Sequence, residues 1–541
     1  MHIGLDFDNT IACYDRSFIQ VATKRNLLPP DWVGGKRALR DLLRTRGEAG
    51  ELEWQFLQGQ VYGDLMPTAR LKPGVGWFLL FCKARQVPVS IVSHKTEYSP
   101  KDPSRVPLRP AALSWMSSKG LFSSSGYRLC EDAVYFESTR HSKVARIASL
   151  GCTHFVDDLP EVFHQENFPD GVEKMLYDPE GGGQLLAEAV PVFDNWSSIG
   201  EALFGTESIA ELQVIVRGLM PKEDVEKCFP ISPGGNSTVF KVCSSRGSVS
   251  VLKRYPEEKN IRRDRLKTEV AACRVLDNLG IGQVTQVIHE DLENQIAVFR
   301  WIDGVTISHP KSRHIESLLE FVRELRDINR TNEVSLLPGA TEACLSGQEI
   351  CEQIQGRRDR LGLIEIKFRE LNIFLEQVFD PLLAQTVRWA QERWPQSCSF
   401  SESLSKRYQV LSPSDFGFHN ALWEKSGTLR VIDLEYFGWD DPVKLASDFW
   451  WHPAMKLEQP LRQQWISGMH DLFSQDQDFA NRLKVAHPLY GLRWAMIVLK
   501  PFLSQERVSI DREQILQNQL RKSMMFCDYV NDWVECGNQQ F

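Results

Sequence analysis

The sequence predicts an α/β domain built on a parallel sheet, followed by an α+β domain in which a hairpin-rich lobe leads into a helical one. Three observations predict it. Over the first 200 residues, short apolar runs (HIGLDFD, PVSIVSH, THFVDD) alternate with helix-like stretches such as GVGWFLLFCKAR and SKVARIASL, the pattern of strands joined by crossover helices. From about Phe229 the texture becomes strand, turn, strand in PISPGGNSTVFKVCSSRGSVSVLKRY. Beyond Trp301 the chain reads as mainly helical, interrupted by one strand–turn–strand segment near Gln409–Glu435. At 541 residues the chain exceeds what one hydrophobic core organises. The boundaries read from these changes are 1–205 for the first domain, 206–228 for a linker and 229–541 for the second. The second divides into lobes at 229–302 and 303–541.

Composition narrows the function classes. Apolar residues make up 42% and charged residues 25%, ordinary for a soluble globular protein. A net charge of -8 argues against a nucleic-acid backbone as main partner, which calls for a basic surface. The 12 cysteines include no C-x-x-C pair and no zinc spacing, so they read as reduced thiols. MHIGLDFDNT lacks the basic and apolar regions of a secretory leader, and no apolar run reaches about 18 residues. A cytoplasmic protein without a membrane span is the expectation; oligomeric state is not legible.

Each apolar run of the first domain ends in a carboxylate or hydroxyl, and parallel sheets gather their functional residues at the carboxyl ends of strands. Asp6 and Asp8, in D-F-D-N-T, share one side of the chain as it leaves the first strand. Two carboxylates so placed repel each other unless a divalent cation lies between them, and magnesium prefers oxygen-only ligation. A carboxylate can attack phosphorus while a neighbouring acid protonates the leaving oxygen. Ser93 ends V-S-I-V-S and offers a hydroxyl to a phosphoryl oxygen. Lys143 can balance charge, and Asp157-Asp158 can complete a metal shell.

These residues resemble the haloacid dehalogenase superfamily, whose pattern is D-x-D-x-T, a Ser or Thr at the second strand, a Lys, and a late acidic pair. The likeness spans roughly residues 1–200. It implies a Rossmann-like domain with a small helical cap at about 15–70, carrying substrate selection. It also implies Asp6 as nucleophile and Asp8 as general acid/base. Magnesium would be held by Asp6, the backbone carbonyl of Asp8 and Asp157, with Asp158 ligating or orienting.

A second constellation lies downstream. Gly234, Gly235, Asn236 and Ser237 form a turn whose glycines permit a backbone close to a phosphate. Lys253 ends the following strand, where it could pair with phosphates, and Glu269 in a helix-like run could hold that lysine. In SPSDFGFHNALWEKSGTLRVIDLEYFGWDDP, four residues separate Asp415 from Asn420, and a strand pair then delivers Asp433. Phosphoryl transfer requires an acceptor-orienting carboxylate beside metal-held phosphates. This region resembles the aminoglycoside phosphotransferase and choline kinase-like family, whose pattern is H-G-D-x-x-x-x-N followed by I-D-x-E. The likeness covers roughly 229–450 and implies a two-lobed, protein-kinase-like fold. By it, Asp415 is the base, Asn420 and Asp433 hold magnesium, and ATP is the co-substrate. Its adenine would sit against the backbone near Val298–Gly304. Pro413 stands where the family pattern has histidine.

Together these readings predict a bifunctional enzyme acting on a small-molecule phosphate ester and a small-molecule hydroxyl acceptor. Two alternatives are a phosphatase regulated by a nucleotide-binding pseudokinase module and a nucleic-acid end-processing phosphatase/kinase. Asp441, Asp448 and the tryptophans Trp450, Trp451 and Trp465 read as structural.

Overall fold

The computed structural model describes the whole chain except residues 30–31, 33, 100–104, 182–189, 234–236, 257–263, 365–367, 505–509 and 537–541. It falls into two compact units, Met1–Arg262 with Ile288–Phe299, and Arg263–Val287 with Arg300–Phe541. Among the described residues, no helix is long and apolar enough to cross a membrane.

The first unit contains a six-stranded parallel sheet: β1 (Ile3–Leu5), β2 (Val89–His94), β3 (Val134–Glu137), β4 (His154–Asp157), β5 (Glu173–Tyr177) and β6 (Val192–Phe193). Their order is β3-β2-β1-β4-β5-β6, the doubly wound order in which a crevice opens where the winding reverses. β1 lies at that point, pairing Leu5 with Ile91 of β2 on one side and with Val156 of β4 on the other. Helices α1 (Asp15–Lys24), α2 (Lys36–Arg44) and α3 (Glu48–Tyr62) are inserted directly after β1. Antiparallel pairing of Ala12–Cys13 with Arg70–Leu71 closes the neck of this insert. The insert is therefore held over the carboxyl end of β1 by its own two stems.

A second sheet of the same unit has the order Val287–Asp291, Ile296–Arg300, Val249–Arg254, Thr238–Ser244, Val225–Pro233. It shares one apolar core with the parallel-sheet region: Phe240, Val242, Leu252, Ile296 and Val298 lie in the same buried cluster as Trp77, Trp196 and Ile215. The segment read as a linker is part of the reason. Ile209–Leu219 is a helix capped by a Ser208–Glu211 box, and it buries Leu212, Ile215, Val216 and Leu219. A side chain at Gly218 would come within 2.2 Å of Leu80, so the helix approaches as closely as glycine permits. Trp77 stacks on Phe240 at 5.8 Å, carries Arg254 over its ring at 4.2 Å and donates to Glu207 at 2.8 Å. The division by contacts thus groups strands of the lobe drawn at 229–302 with the N-terminal sheet. Truncating Trp77 to alanine is expected to cost about 3–5 kcal/mol, because a buried indole leaves a cavity its neighbours cannot fill. Urea unfolding of the purified variant checks this, and a midpoint equal to the parent's would refute the shared core.

The second unit is mainly helical. Its small sheets pair Gly304–Thr306, Ala421–Glu424 and Leu429–Val431, and separately Val410–Ser412 with Gly438–Asp440. The hairpin at 421–431 and the strand before Pro413 present the loop 413–420. Trp450, Trp451 and Trp465 are buried core residues. His487 is wholly buried between Trp451 and Trp533, at ring distances of 4.9 and 4.7 Å. Burial, with Arg462 adding to it, drives its imidazole well below the ordinary histidine value. The unfolded chain therefore takes up a proton below about pH 6.5 that the folded one refuses, and stability drops as pH falls through that range. The expected slope approaches about 1.4 kcal/mol per pH unit, read by denaturant unfolding between pH 7.5 and 5. His487→Gln should flatten it; an unaltered slope in that variant would contradict the assignment.

Candidate functional site

The carboxyl ends of β1, β2 and β4 bring the first constellation together. Asp6, one residue past β1, and Asp157, ending β4, are both buried. Lys143, in the first turns of the helix Arg140–Ser149, reaches between them and donates to Asp6 Oδ1 and Asp157 Oδ2 at 2.6 Å each. Burial alone would lower the lysine value, but Asp157 and Asp6 outweigh it and keep the ammonium charged. Carboxylate oxygens of Asp6, Asp157 and Asp158 lie within 4.8 Å of one another. Asp158 is pushed upward by burial and then by the charges of Asp6 and Asp157, an excess of negative charge that one lysine does not cancel. This oxygen-only set fits magnesium. The Ser93 hydroxyl is buried and has no hydrogen-bond partner among the described residues, a polar group left for a ligand oxygen.

Asp8 stands differently from its neighbour. Both its oxygens accept from Lys95 Nζ, at 3.0 and 2.8 Å, and Oδ1 also accepts from the Tyr14 hydroxyl at 2.5 Å. The helical insert contributes a second cation: Lys36 Nζ donates to Asn9 Oδ1 at 2.6 Å and to the Tyr62 hydroxyl at 2.9 Å. Burial opposes the charge on Lys36, but Tyr62, Asp158 and Asp8 hold its ammonium above the ordinary value. Asp6, Asp8, Ser93, Lys143, Asp158 and Lys36 all line one cavity of about 370 Å³.

In the second unit, Asp415 follows the strand Val410–Ser412 on a loop whose Ser414 adopts a left-handed φ of 66°. That conformation suits the glycine of the H-G-D pattern; here Lys444 donates to the Ser414 hydroxyl at 2.9 Å, and Ser414 donates to the Thr341 carbonyl at 3.2 Å. Lys444 is itself buried and bridges Asp440 at 3.0 Å and Asp448 at 3.2 Å. Arg493 extends the network from Asp448 to Glu342, and Asp441 caps the helix Pro442–Trp451 and pairs with Arg482. The loop is thus anchored from beneath by fully paired buried charges.

Two histidines take hold of Asp415. His419 Nε2 lies 3.0 Å and His452 Nε2 3.6 Å from Asp415 Oδ1, and the rings stack at 4.0 Å. The Ala454 amide donates to His452 Nδ1, which leaves the proton of the neutral ring on Nε2, facing the carboxylate. Burial and His419 depress His452 to about 4, so it faces the carboxylate as a neutral ring. Burial would raise Asp415, yet the His419 hydrogen bond and the two rings bring it below the usual carboxylate value. Asn420 donates to the Asp415 carbonyl at 3.0 Å, which fixes its amide and turns its oxygen the other way. Asp433, with a left-handed φ of 64°, has Glu269 and Glu435 within 4.8 Å, a second oxygen cluster suited to magnesium.

The structure gathers Asp6, Ser93, Lys143, Asp157 and Asp158 as expected of neighbours, and joins Asp415 to Asn420. Glu269 accepts from the Leu434 amide at 3.3 Å and stands with Asp433. Lys253 is buried in the first unit, its ammonium 4.9 Å over the Tyr255 ring. Ser237 is buried at the start of the strand Thr238–Ser244; Gly234, Gly235 and Asn236 lie outside the described residues. Lys95, Tyr14, Lys36, His419, His452 and Glu435 were not anticipated as site residues. Two of them carried a signal: Lys95 stands two residues beyond Ser93, hence on its side of the chain, and Glu435 is the Glu of the I-D-x-E pattern.

Residues 229–481 match the model of the phosphotransferase enzyme family. The match lies wholly in the C-terminal part of the chain and takes in just under half of it. Among solved structures, the chain is similar to an ADP-bound aminoglycoside phosphotransferase at 15% identity, covering 57% of this chain and 98% of that one with a TM-score of 0.39. It is similar to a choline/ethanolamine kinase family protein of Mesorhizobium loti at 16% identity, covering 57% and 92% with a TM-score of 0.40. A choline kinase of Cryptosporidium parvum gives 15% identity, 59% and 99% coverage, and a TM-score of 0.39. No curated protein matches the chain.

Proposed function

We propose that the chain is a bifunctional enzyme, an ATP-dependent kinase of a small-molecule hydroxyl and a magnesium-dependent phosphomonoesterase. The observation that carries the kinase half is the family match over residues 229–481, beside which the spacing of Asp415, Asn420 and Asp433 resembles the family's pattern. In that half the acceptor oxygen attacks the γ-phosphorus, its proton passes to Asp415, and the bond to the bridging oxygen breaks to release ADP. His419 and His452 are positioning residues that aim the carboxylate, in a loop where Pro413 replaces the family's histidine. Asn420 and the Asp433 cluster would hold magnesium, which neutralises the phosphates when bound. Lys253, at the end of its strand, is the candidate to pair with nucleotide phosphates.

The phosphatase half rests on the Lys143 ammonium bridging Asp6 and Asp157 beside the unpartnered Ser93 hydroxyl. Asp6 attacks phosphorus, the ester P–O bond breaks, and the leaving oxygen takes a proton from Asp8. Water then attacks the aspartyl-phosphate and gives a proton back to Asp8, freeing phosphate and Asp6. Lys95 and the Tyr14 hydroxyl hold the Asp8 carboxyl in place for both steps. Magnesium, held by Asp6, Asp157 and Asp158, would withdraw charge from the phosphoryl oxygens. The deciding experiment incubates the full chain with ATP and magnesium against a panel of sugars, amino alcohols and their phosphate esters. ATP bound without transfer to any acceptor would favour the pseudokinase reading, and ester hydrolysis missing across the panel would remove the phosphatase half.

A further inference from the structure

The cavity over Asp6 is lined by seven cations and six carboxylates, and four of the cations lie on the single helix α2. α2 lays Lys36, Arg37, Arg40 and Arg44 along the cavity wall while Leu39 and Leu43 are buried on its other side. Lys36, Arg40 and Arg44 recur every four residues, so they form one stripe with steps of about 6 Å along the helix axis. Lys36 stands at the reacting end, hydrogen-bonded to Asn9 beside Asp158. Arg40 and Arg44 continue away from it. Their ion-pair partners, Asp41 at 2.9 Å and Glu51 at 2.7 Å, do not line the cavity. These are solvent-exposed pairs, worth about 0–1 kcal/mol, and they yield readily to a better-placed anion. On the facing side, Arg140 lines the same cavity and has no partner among the described residues. Arg37 is the exception: Asp178 and Glu180, which also line the cavity, pair with it at 3.6 and 3.7 Å.

We propose that this cavity binds a small phosphate ester bearing a second phosphate, with the scissile group at Asp6, Ser93 and Lys143 and the other group on Arg40 and Arg44, one to two helical turns away. The inference rests on the phosphatase reading. Guanidinium forks match phosphate oxygens two at a time, which a lysine stripe would not do. The cationic α2 belongs to the insert rather than to the sheet, so it selects substrate without entering the chemistry.

The test measures phosphate release by the full chain with magnesium from p-nitrophenyl phosphate, fructose 6-phosphate and fructose 1,6-bisphosphate. Charge-assisted hydrogen bonds to one extra phosphate predict at least about a tenfold higher kcat/KM for the bisphosphate than for the monophosphate, carried by KM. In the double variant Arg40→Gln/Arg44→Gln, with its thermal melt recorded to verify folding, that ratio should collapse toward one. Equal use of both sugar phosphates, or a preference that survives the double variant, overturns the proposal. A 3′-phosphorylated oligonucleotide hydrolysed better than either sugar ester overturns it in favour of a nucleic-acid end. If none of the esters is hydrolysed, p-nitrophenyl phosphate included, the phosphatase reading fails. The subsite is then judged by calorimetric titration of the same two sugar phosphates, where the same preference and its loss are expected.

Discussion

Asp6→Asn should abolish phosphate release from p-nitrophenyl phosphate, by at least about a thousandfold, and leave the protein folded. Covalent catalysis fails completely when the attacking oxygen is lost, because an amide neither attacks phosphorus nor forms the acyl phosphate. The stability side has the opposite sign to that of most buried substitutions. Asp6, Asp157 and Asp158 crowd three carboxylates around one Lys143, and Asp158 already rises partly because of Asp6. Taking one charge away relieves repulsion, so the melting temperature without magnesium should hold or rise. Magnesium should then stabilise the variant less than the parent, since one ligand is gone. Full hydrolysis by the variant would refute the nucleophile assignment, and a collapsed melt would show that the Lys143 bridge is structural first.

The second large effect is expected at Asp415. Asp415→Ala should lower ATP-dependent phosphorylation of an identified acceptor by about a hundredfold to ten-thousandfold, the range a general base supplies. Nucleotide affinity should change little, because the carboxylate is assigned to the acceptor and not to ATP. The two histidines make a finer test. His452→Ala removes the ring whose Nε2 lies 3.6 Å from Asp415 Oδ1 and which stacks on His419, so kcat should fall while the acceptor KM stays near the parent's. His452→Gln, which keeps a donor, should recover part of it. A parental kcat in Asp415→Ala would remove the base assignment and with it the role of the histidines.

The first-unit site was largely legible because its residues close strands. A strand fixes side-chain alternation and a parallel sheet fixes which ends meet, so Asp6, Ser93 and Asp157 could be brought together from three separated runs. Asp415 and Asn420 were legible for a related reason: they are five residues apart in one loop. The reading stopped wherever partners came from unrelated segments. Lys36 on Asn9 depends on how the insert folds back over β1, and His452 reaches Asp415 from the end of another helix. The contact of Glu269 with the Leu434 amide crosses 165 residues and could come only from packing.

The amino-acid sequence by itself determined the alternation of strands and helices, the change of texture near Phe229, and the two sets of chemistry-bearing residues. These are encoded locally, in periodicity and short spacing. Only the tertiary structure decided that the helix Ile209–Leu219 packs into the first unit and that the strands after it share a core with the N-terminal sheet. It alone placed a row of arginines along the wall of the cavity above Asp6. Apolar burial is non-directional, so a sequence shows which faces must be covered without showing what covers them.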